Sequence, residues 1–295
     1  MILGLIIILA ALLFFGLSFY KAAVYAKMPL HARMELYPVP QEKGRHQYGG
    51  SYMEETEWWR KPRQISKASE LIDMMKEMLF IKKLFDNQRS FWWISYAFHL
   101  GIYFLIAWTF FLVAGALTEF AGLSVSMHAM WWTAILYYLT IFTGVVGLFM
   151  TAIGAAFLLL RRMFDPILSK YTTPQEYFNL LLLLVTLVSG IIIWSPDLTF
   201  TTARHTTGQA LTLSIVPTTA LTIHLLLLAV TFVYIPLSKM SHYVGKYFTY
   251  HKILWENEPN VSGSEMEQKV KRALENRPLT KWSAPHIQTP TTTEK

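Results

Sequence analysis

Leu221-Thr-Ile-His-Leu-Leu-Leu-Leu-Ala-Val-Thr-Phe-Val-Tyr-Ile-Pro-Leu-Ser-Lys-Met-Ser-His242 carries His224 and His242 inside an almost unbroken apolar run. Read as one α-helix at about 100° per residue, the steps between the two histidines make about five whole turns, so both imidazoles leave the same face. The rise between them is roughly 27 Å, close to the hydrocarbon thickness of a bilayer. One helix face thus presents a soft nitrogen ligand near each side of a membrane. A two-level stack of haem b needs that arrangement, and few other chemistries do.

Composition sets the class. The chain of 295 residues is 53% hydrophobic and only 15% charged. The charges fall in blocks that leave apolar runs long enough to cross a bilayer. There is no cysteine. Haem attached through Cys-x-x-Cys-His, an iron–sulfur cluster held by this chain and any disulfide are therefore excluded, whereas haem held by histidine alone is allowed. The net charge of +7 does not point to nucleic acid, because the basic residues sort by membrane side.

The expected fold is an all-α integral membrane protein, a five-helix bundle with spans at about 2–20, 91–118, 131–160, 177–195 and 218–238. The first span has no basic stretch before it, and Lys21, Lys27 and Arg33 follow it. That charge order suits an uncleaved anchor with its N-terminus outside. Lys43, Arg45, Arg60, Lys61, Arg63, Lys67, Lys76, Lys82, Lys83 and Arg89 precede the second span; Arg161, Arg162 and Lys170 follow the third; Lys239, Lys246 and Lys252 follow the fifth. The opposite loops, about 119–130 and 196–217, carry only Arg204. The positive-inside rule then expects the N-terminus outside and the C-terminus in the cytoplasm, in a cytoplasmic (inner) membrane.

Four regions are expected: a first transmembrane helix (1–25), a cytoplasmic loop (26–90), a four-helix haem-binding bundle (91–240) and a cytoplasmic tail (241–295). In the loop, Pro29, Pro38, Pro40, Gly44, Gly49 and Gly50 mark an extended first half. From Ser66 to Phe85, Ile72, Met75, Leu79 and Ile81 recur at near-helical spacing among charges. That pattern suits an amphipathic helix against the membrane or a partner, or a solvated connector. Trp58, Trp59, Trp92 and Trp93 fit an interfacial belt. The run Pro285–Lys295 is polar and proline-rich, the composition of a disordered end. No phosphate loop, His-Glu-x-x-His pair or nucleophile elbow occurs.

A histidine within a span marks a functional site by default, against the plainer role of an interhelical hydrogen bond. Haem b with two histidine ligands needs them from facing helices. For His242, near the cytoplasmic end of the fifth span, His99 in Ala97-Phe-His-Leu-Gly101 has the matching depth, and Gly101 beside it suggests room for a macrocycle. Arg89 and Lys239 are candidate propionate partners. His224 belongs nearer the outer side, and its candidate partners are His128, before the third span, or alternatively His205 in the Thr-rich outer loop. His31, His46, His251 and His286 stand in polar surroundings and are not expected to be ligands. Gly144, Gly147, Thr151 and Gly154 form a stripe of small residues that suits close helix packing, and equally a haem edge.

Phe98-His99-Leu100-Gly101, with His224 and the run Pro236-Leu-Ser-Lys-Met-Ser-His242, resembles the gamma subunit of respiratory nitrate reductase over roughly 91–245. That family is a five-helix dihaem cytochrome b that takes electrons from quinol. The resemblance implies haem b between His99 and His242. The family's other ligand on the second span falls ten residues after the first, where this chain has Thr109. The resemblance thus implies a distal haem rebuilt on another histidine, or none. The long 26–90 segment and the tail Lys246-Tyr-Phe-Thr-Tyr-His-Lys-Ile-Leu-Trp255 look more like the related membrane cytochromes of sulfate reducers, such as the M subunit of the sulfite-reduction-associated complex. Similarity to these implies a cytoplasmic iron–sulfur subunit of the heterodisulfide-reductase type, a second membrane subunit and a periplasmic multihaem cytochrome c as partners.

The expected function is electron exchange between the menaquinone pool and the cytoplasmic iron–sulfur subunit, with menaquinol oxidised at the outer surface. Glu119, Arg204 and His205, with His128 and Asp197, are the candidate quinone and proton groups there. A haem-free membrane anchor is the alternative. A proton-relaying transporter would want mid-membrane carboxylates, and none is obvious in these spans.

Overall fold

The computed structural model describes residues 1–28, 34, 39–45, 48–256, 258–259 and 261–275; Arg33, Pro29, Pro38, His31, His46, His286 and the run 285–295 lie outside them. Among the described residues the regular elements are helical, apart from one isolated bridge between Glu42 and Ile65. In chain order the α-helices are α1 (Ile2–Lys27), α2 (Lys67–Phe80), α3 (Lys82–Asn87), α4 (Arg89–Phe120), α5 (Trp131–Phe164) and α6 (Leu168–Tyr171). They continue with α7 (Pro174–Trp194), α8 (Thr201–Leu211), α9 (Thr219–Leu237), α10 (His242–Thr249) and α11 (Glu265–Glu275). Five of these, α1, α4, α5, α7 and α9, are long and apolar enough to cross a membrane. They coincide with the five expected spans, and α4 and α5 run a few residues further at both ends or one.

The chain divides into two compact units, residues 1–26 with 67–248, and 27–66 with 249–295. The division differs from the expected one, in which 26–90 formed a single loop.

In the first unit, α4 and α5 pack closely because glycine removes the side chain where each backbone meets the other. A Cβ on Gly101 would lie 2.5 Å from Thr151 Oγ1 and 2.6 Å from its backbone nitrogen. One on Gly154 would lie 2.9 Å from the Cα of Phe98, and one on Gly147 would lie 3.0 Å from the backbone nitrogen of Leu105. The small-residue stripe is therefore a helix-packing seam, and Gly101 faces α5 instead of opening a slot for a macrocycle. Van der Waals contact between backbones is what holds helices together in lipid, where no hydrophobic force separates lipid from side chain. Thr140, Thr143, Thr186 and Thr231 return their hydroxyls to carbonyls three or four residues back, so these polar groups are satisfied within their own helices.

Two parts of the outer and inner ends differ from the sequence reading. The stretch 196–217 was expected to be loop, but its middle is α8. Phe200 starts that helix with a left-handed backbone (φ 57°) and no exposed surface. Its ring stacks on Trp194 at 4.9 Å, meets Trp108 at 5.1 Å and fills the space above Gly144. Asp197 accepts hydrogen bonds from the backbone of Thr199 and Thr202, which serves the free N–H groups at the helix start. A low-hydropathy, threonine-rich helix held by one aromatic plug carries no periodic apolar signal, which is why it reads as loop.

The second difference concerns the opening stretch. Leu221–His242 is not one helix: α9 ends at Leu237, Ser238 is extended (φ −103°, ψ −177°), a short 3-10 turn covers Lys239–Ser241, and α10 begins at His242. Pro236 cannot donate to the helix, and Ser238 caps the next turn by accepting from the Met240 N–H at 3.1 Å. The ammonium of Lys21 on α1 donates to the Pro236 carbonyl and to Ser241 Oγ, both at 2.7 Å. A cation at a helix C-terminus satisfies an orphan carbonyl and suits the dipole. The five-turn phase relation between His224 and His242 therefore does not hold.

In the second unit, Trp255 is buried against Tyr250, with ring centroids 4.6 Å apart. The Gln41 amide donates to the Trp255 carbonyl, the Met34 N–H donates to the Ile253 carbonyl at 3.0 Å, and Arg63 pairs with Glu258 at 3.1 Å. These contacts explain the chain division: the early loop is a partner of the tail, whereas α2 and α3 belong to the helical bundle.

Candidate functional site

At the α10 end of the first unit, the end expected to be inner, His99 on α4 and His242 at the start of α10 stand with ring centroids 6.2 Å apart and planes at 73°. His99 Nδ1 lies 2.7 Å from the Ser95 carbonyl, and His242 Nδ1 lies 3.3 Å from the Lys239 carbonyl. A carbonyl can only accept, so each Nδ1 is the donor, and in the neutral ring that leaves Nε2 as the acceptor nitrogen. That is the tautomer a metal-ligating histidine adopts when its other nitrogen is tied to the backbone. Imidazole nitrogen binds transition metals at about 2 Å; with about 1 Å from nitrogen to ring centre, two trans ligands place their centroids about 6 Å apart. The observed separation fits an iron between two imidazoles. His99 is partly buried, whereas His242 is exposed, so the pair opens toward the surface of the unit.

The cations near this end are arranged differently from the expectation. Arg89 lies over the Phe85 ring at 3.6 Å, and Lys239 is 3.9 Å from Glu176, so neither is seen turned to the ring pair. Lys246, one turn after His242 on α10, donates instead to Glu77 Oε1 at 2.8 Å. Glu77 is buried, and its other oxygen accepts the backbone N–H of Lys83 at the start of α3. This pair, which the sequence reading missed, holds α10 to α2 and so fixes where His242 stands. Little in the sequence marks it: Glu77 lies on the polar side of α2, and Lys246 is 169 residues away along the chain. Burial, followed by the nearby charge of Lys246, lowers the Lys83 pKa below its ordinary value.

His224 stands apart from both outer histidines. Its Nδ1 is 2.9 Å from Ser189 Oγ, and its Cε1 would be 3.1 Å from a Cβ on Gly190. Ser189 lies five residues inside the end of α7 at Trp194, so His224 sits within the span and not at its rim. His128 and His205 are exposed, and among the described residues no ring contact joins either to His224. Thr109 is exposed, with its hydroxyl donated to the Leu105 carbonyl at 2.9 Å.

The outer end brings together three of the nominated groups. Arg204 on α8 is only 2% exposed; its Nε meets Glu119 Oε1 at 2.7 Å, and Nη2 donates to the Val125 carbonyl at 3.2 Å. Its Cδ would be 2.5 Å from a Cβ on Gly115, so glycine gives the long side chain its path. Nη1 is buried with no hydrogen-bond partner among the described residues. His205 Nε2 is 3.6 Å from Glu119 Oε2 and the ring is exposed, linking the carboxylate to the aqueous surface. For Asp197, burial acts to raise the pKa, but hydrogen bonds from Thr202 and Thr199 outweigh it and hold the carboxyl below the usual range.

Among the described residues no cluster of three or more His, Cys, Asp or Glu is placed to hold a metal ion. Comparison with protein-family models, curated proteins and solved structures finds no match to this chain.

Proposed function

We propose that this chain is a membrane cytochrome b subunit that carries electrons between a quinol and a cytoplasmic iron–sulfur partner. The observation that carries the reading is the His99–His242 pair, at 6.2 Å with both Nδ1 atoms committed to backbone carbonyls. Haem b held there supplies a one-electron carrier. The protein's part is to fix ligand tautomer and ring position: Ser95 and Lys239 do the first, and Lys21 with the Glu77–Lys246 pair does the second.

At the other end, Arg204 Nη1 is a buried donor in want of an acceptor, and a quinol oxygen supplies one. Glu119 Oε2 receives the proton and His205, 3.6 Å away, passes it outward, while Arg204 holds the other carboxylate oxygen in place. Glu119 lies 20 residues beyond His99 on α4, about 30 Å, so an electron released there needs an intermediate carrier. His224, inside the span with Nε2 uncommitted, is the residue we assign to hold a second haem, with His128 or His205 as the nominated second ligand. The block of basic residues at the His99 end supports N-terminus outside and C-terminus inside, in a cytoplasmic membrane with menaquinone. A partner iron–sulfur subunit, a second membrane subunit and a periplasmic multihaem cytochrome c complete the proposed complex.

Absorption and low-temperature EPR spectra of the purified protein test the reading. Bis-histidine haem b is expected, lost in both His99→Ala and His242→Ala, with a second low-spin signal lost in His224→Ala. A single haem would remove outer quinol oxidation from this chain. No haem at all would favour a plain scaffold, which the closely packed α4–α5 seam accommodates without a cofactor.

A further inference from the structure

Helix α2 is folded with part of its polar side inward. Met74 and Glu77 are buried, whereas Leu71, Ile72, Met75 and Leu79 are exposed. At about 100° per residue these four exposed side chains span an arc of about 100°, and Lys67 and Lys76 flank it on its two edges. In a water-facing helix that orientation is the wrong way round. Burying Met74 and Glu77 against the bundle while leaving four large apolar side chains in water costs more than the reverse choice.

Depth decides what covers this face. Trp92 Nε1 donates to the Phe80 carbonyl at 2.7 Å, and Tyr103 OH donates to the Met78 carbonyl at 2.6 Å. Both donors belong to α4, Trp92 in its first turn and Tyr103 in its fourth, so the end of α2 lies beside the first four turns of a membrane-spanning helix. Phe80 also meets Tyr96 at 6.2 Å. At the same level, Trp93 is 61% exposed, and Arg161 stacks on Phe91 at 4.1 Å, the aromatic and basic residues of a bilayer interface. The end of α2 is thus held at the level of these residues of α4.

We infer that α2 is an interfacial helix, its Leu71–Ile72–Met75–Leu79 face seated in the bilayer and Lys67 and Lys76 reaching to anionic lipid headgroups. The occupant of this face is lipid and not a protein partner. The inference is independent of the redox reading.

The absence of native cysteine makes the test clean. Single nitroxide labels are placed by Met75→Cys, Leu79→Cys and Ser69→Cys in the full chain, held in phosphatidylglycerol nanodiscs. Labels at 75 and 79 should collide several-fold more with oxygen than with a water-soluble nickel chelate, and the label at 69 should show the reverse. Replacing phosphatidylglycerol by phosphatidylcholine, or adding Lys67→Gln with Lys76→Gln, should move labels 75 and 79 toward water. Water-like accessibility at 75 and 79 would overturn the inference, as would exclusion of both relaxants, which marks a protein cover. Depth unchanged by headgroup and by the lysine substitutions would overturn the anionic-lipid assignment.

Discussion

The two ends of the helical bundle solve different problems. At the α10 end, two imidazoles are held by backbone carbonyls with their centroids 6.2 Å apart, His242 on the exposed side. At the outer end, a guanidinium is buried among protein atoms and paired with a carboxylate. The first arrangement fixes tautomer and position without adding charge. The second concentrates charge and leaves one donor without an acceptor. Iron ligation asks for the former, and proton-coupled chemistry on a polar substrate asks for the latter.

Breaking the outer pair should have the largest effect on the fold. Glu119→Ala strands a buried arginine and should cost about 3 kcal/mol or more, read by thermal unfolding in detergent; an unchanged midpoint would mean that Arg204 finds water there. Disturbing the seam that the two ends share comes next. A methyl on Gly154 meets the Phe98 backbone, which cannot rotate away, so Gly154→Ala should cost about 1–3 kcal/mol and weaken haem retention by shifting His99. At the inner end, Lys21→Met removes the cation from the α9 terminus; about 1–2 kcal/mol and a broadened His242 signature by EPR are expected, with no change in the outer ion pair.

The smallest effect belongs to Asp197. Its folded pKa lies below the unfolded value, so its contribution is fully present above the ordinary carboxylate range and fades as pH falls through the folded pKa. Asp197→Asn should cost about 1 kcal/mol near neutral pH and flatten the loss of stability in acid, followed by unfolding midpoints from pH 6 down to about 2.

Hydropathy and charge order make the five spanning helices readable, because a bilayer demands long apolar runs and little else from sequence. Depth matching alone pairs His99 with His242, and the fold brings those two rings to 6.2 Å. Periodicity misled over 221–242, since an apolar run looks the same whether or not the helix stops; Pro236 and Ser238 were the sign. Helix α8 escaped because tertiary packing, through Phe200 and Arg204, creates it against weak local propensity. Glu77 with Lys246 escaped because 169 residues separate them, and no local pattern reports such a contact.

The interruption between α9 and α10 gives His242 a mechanical independence that a residue inside a spanning helix lacks. That independence is from α9 alone: Lys21 of α1 ties both sides of the joint, and Lys246 in the grip of Glu77 holds the far end of the segment. The inner histidine is thus placed by side chains from two other helices, whereas His224 is placed by the helix that carries it.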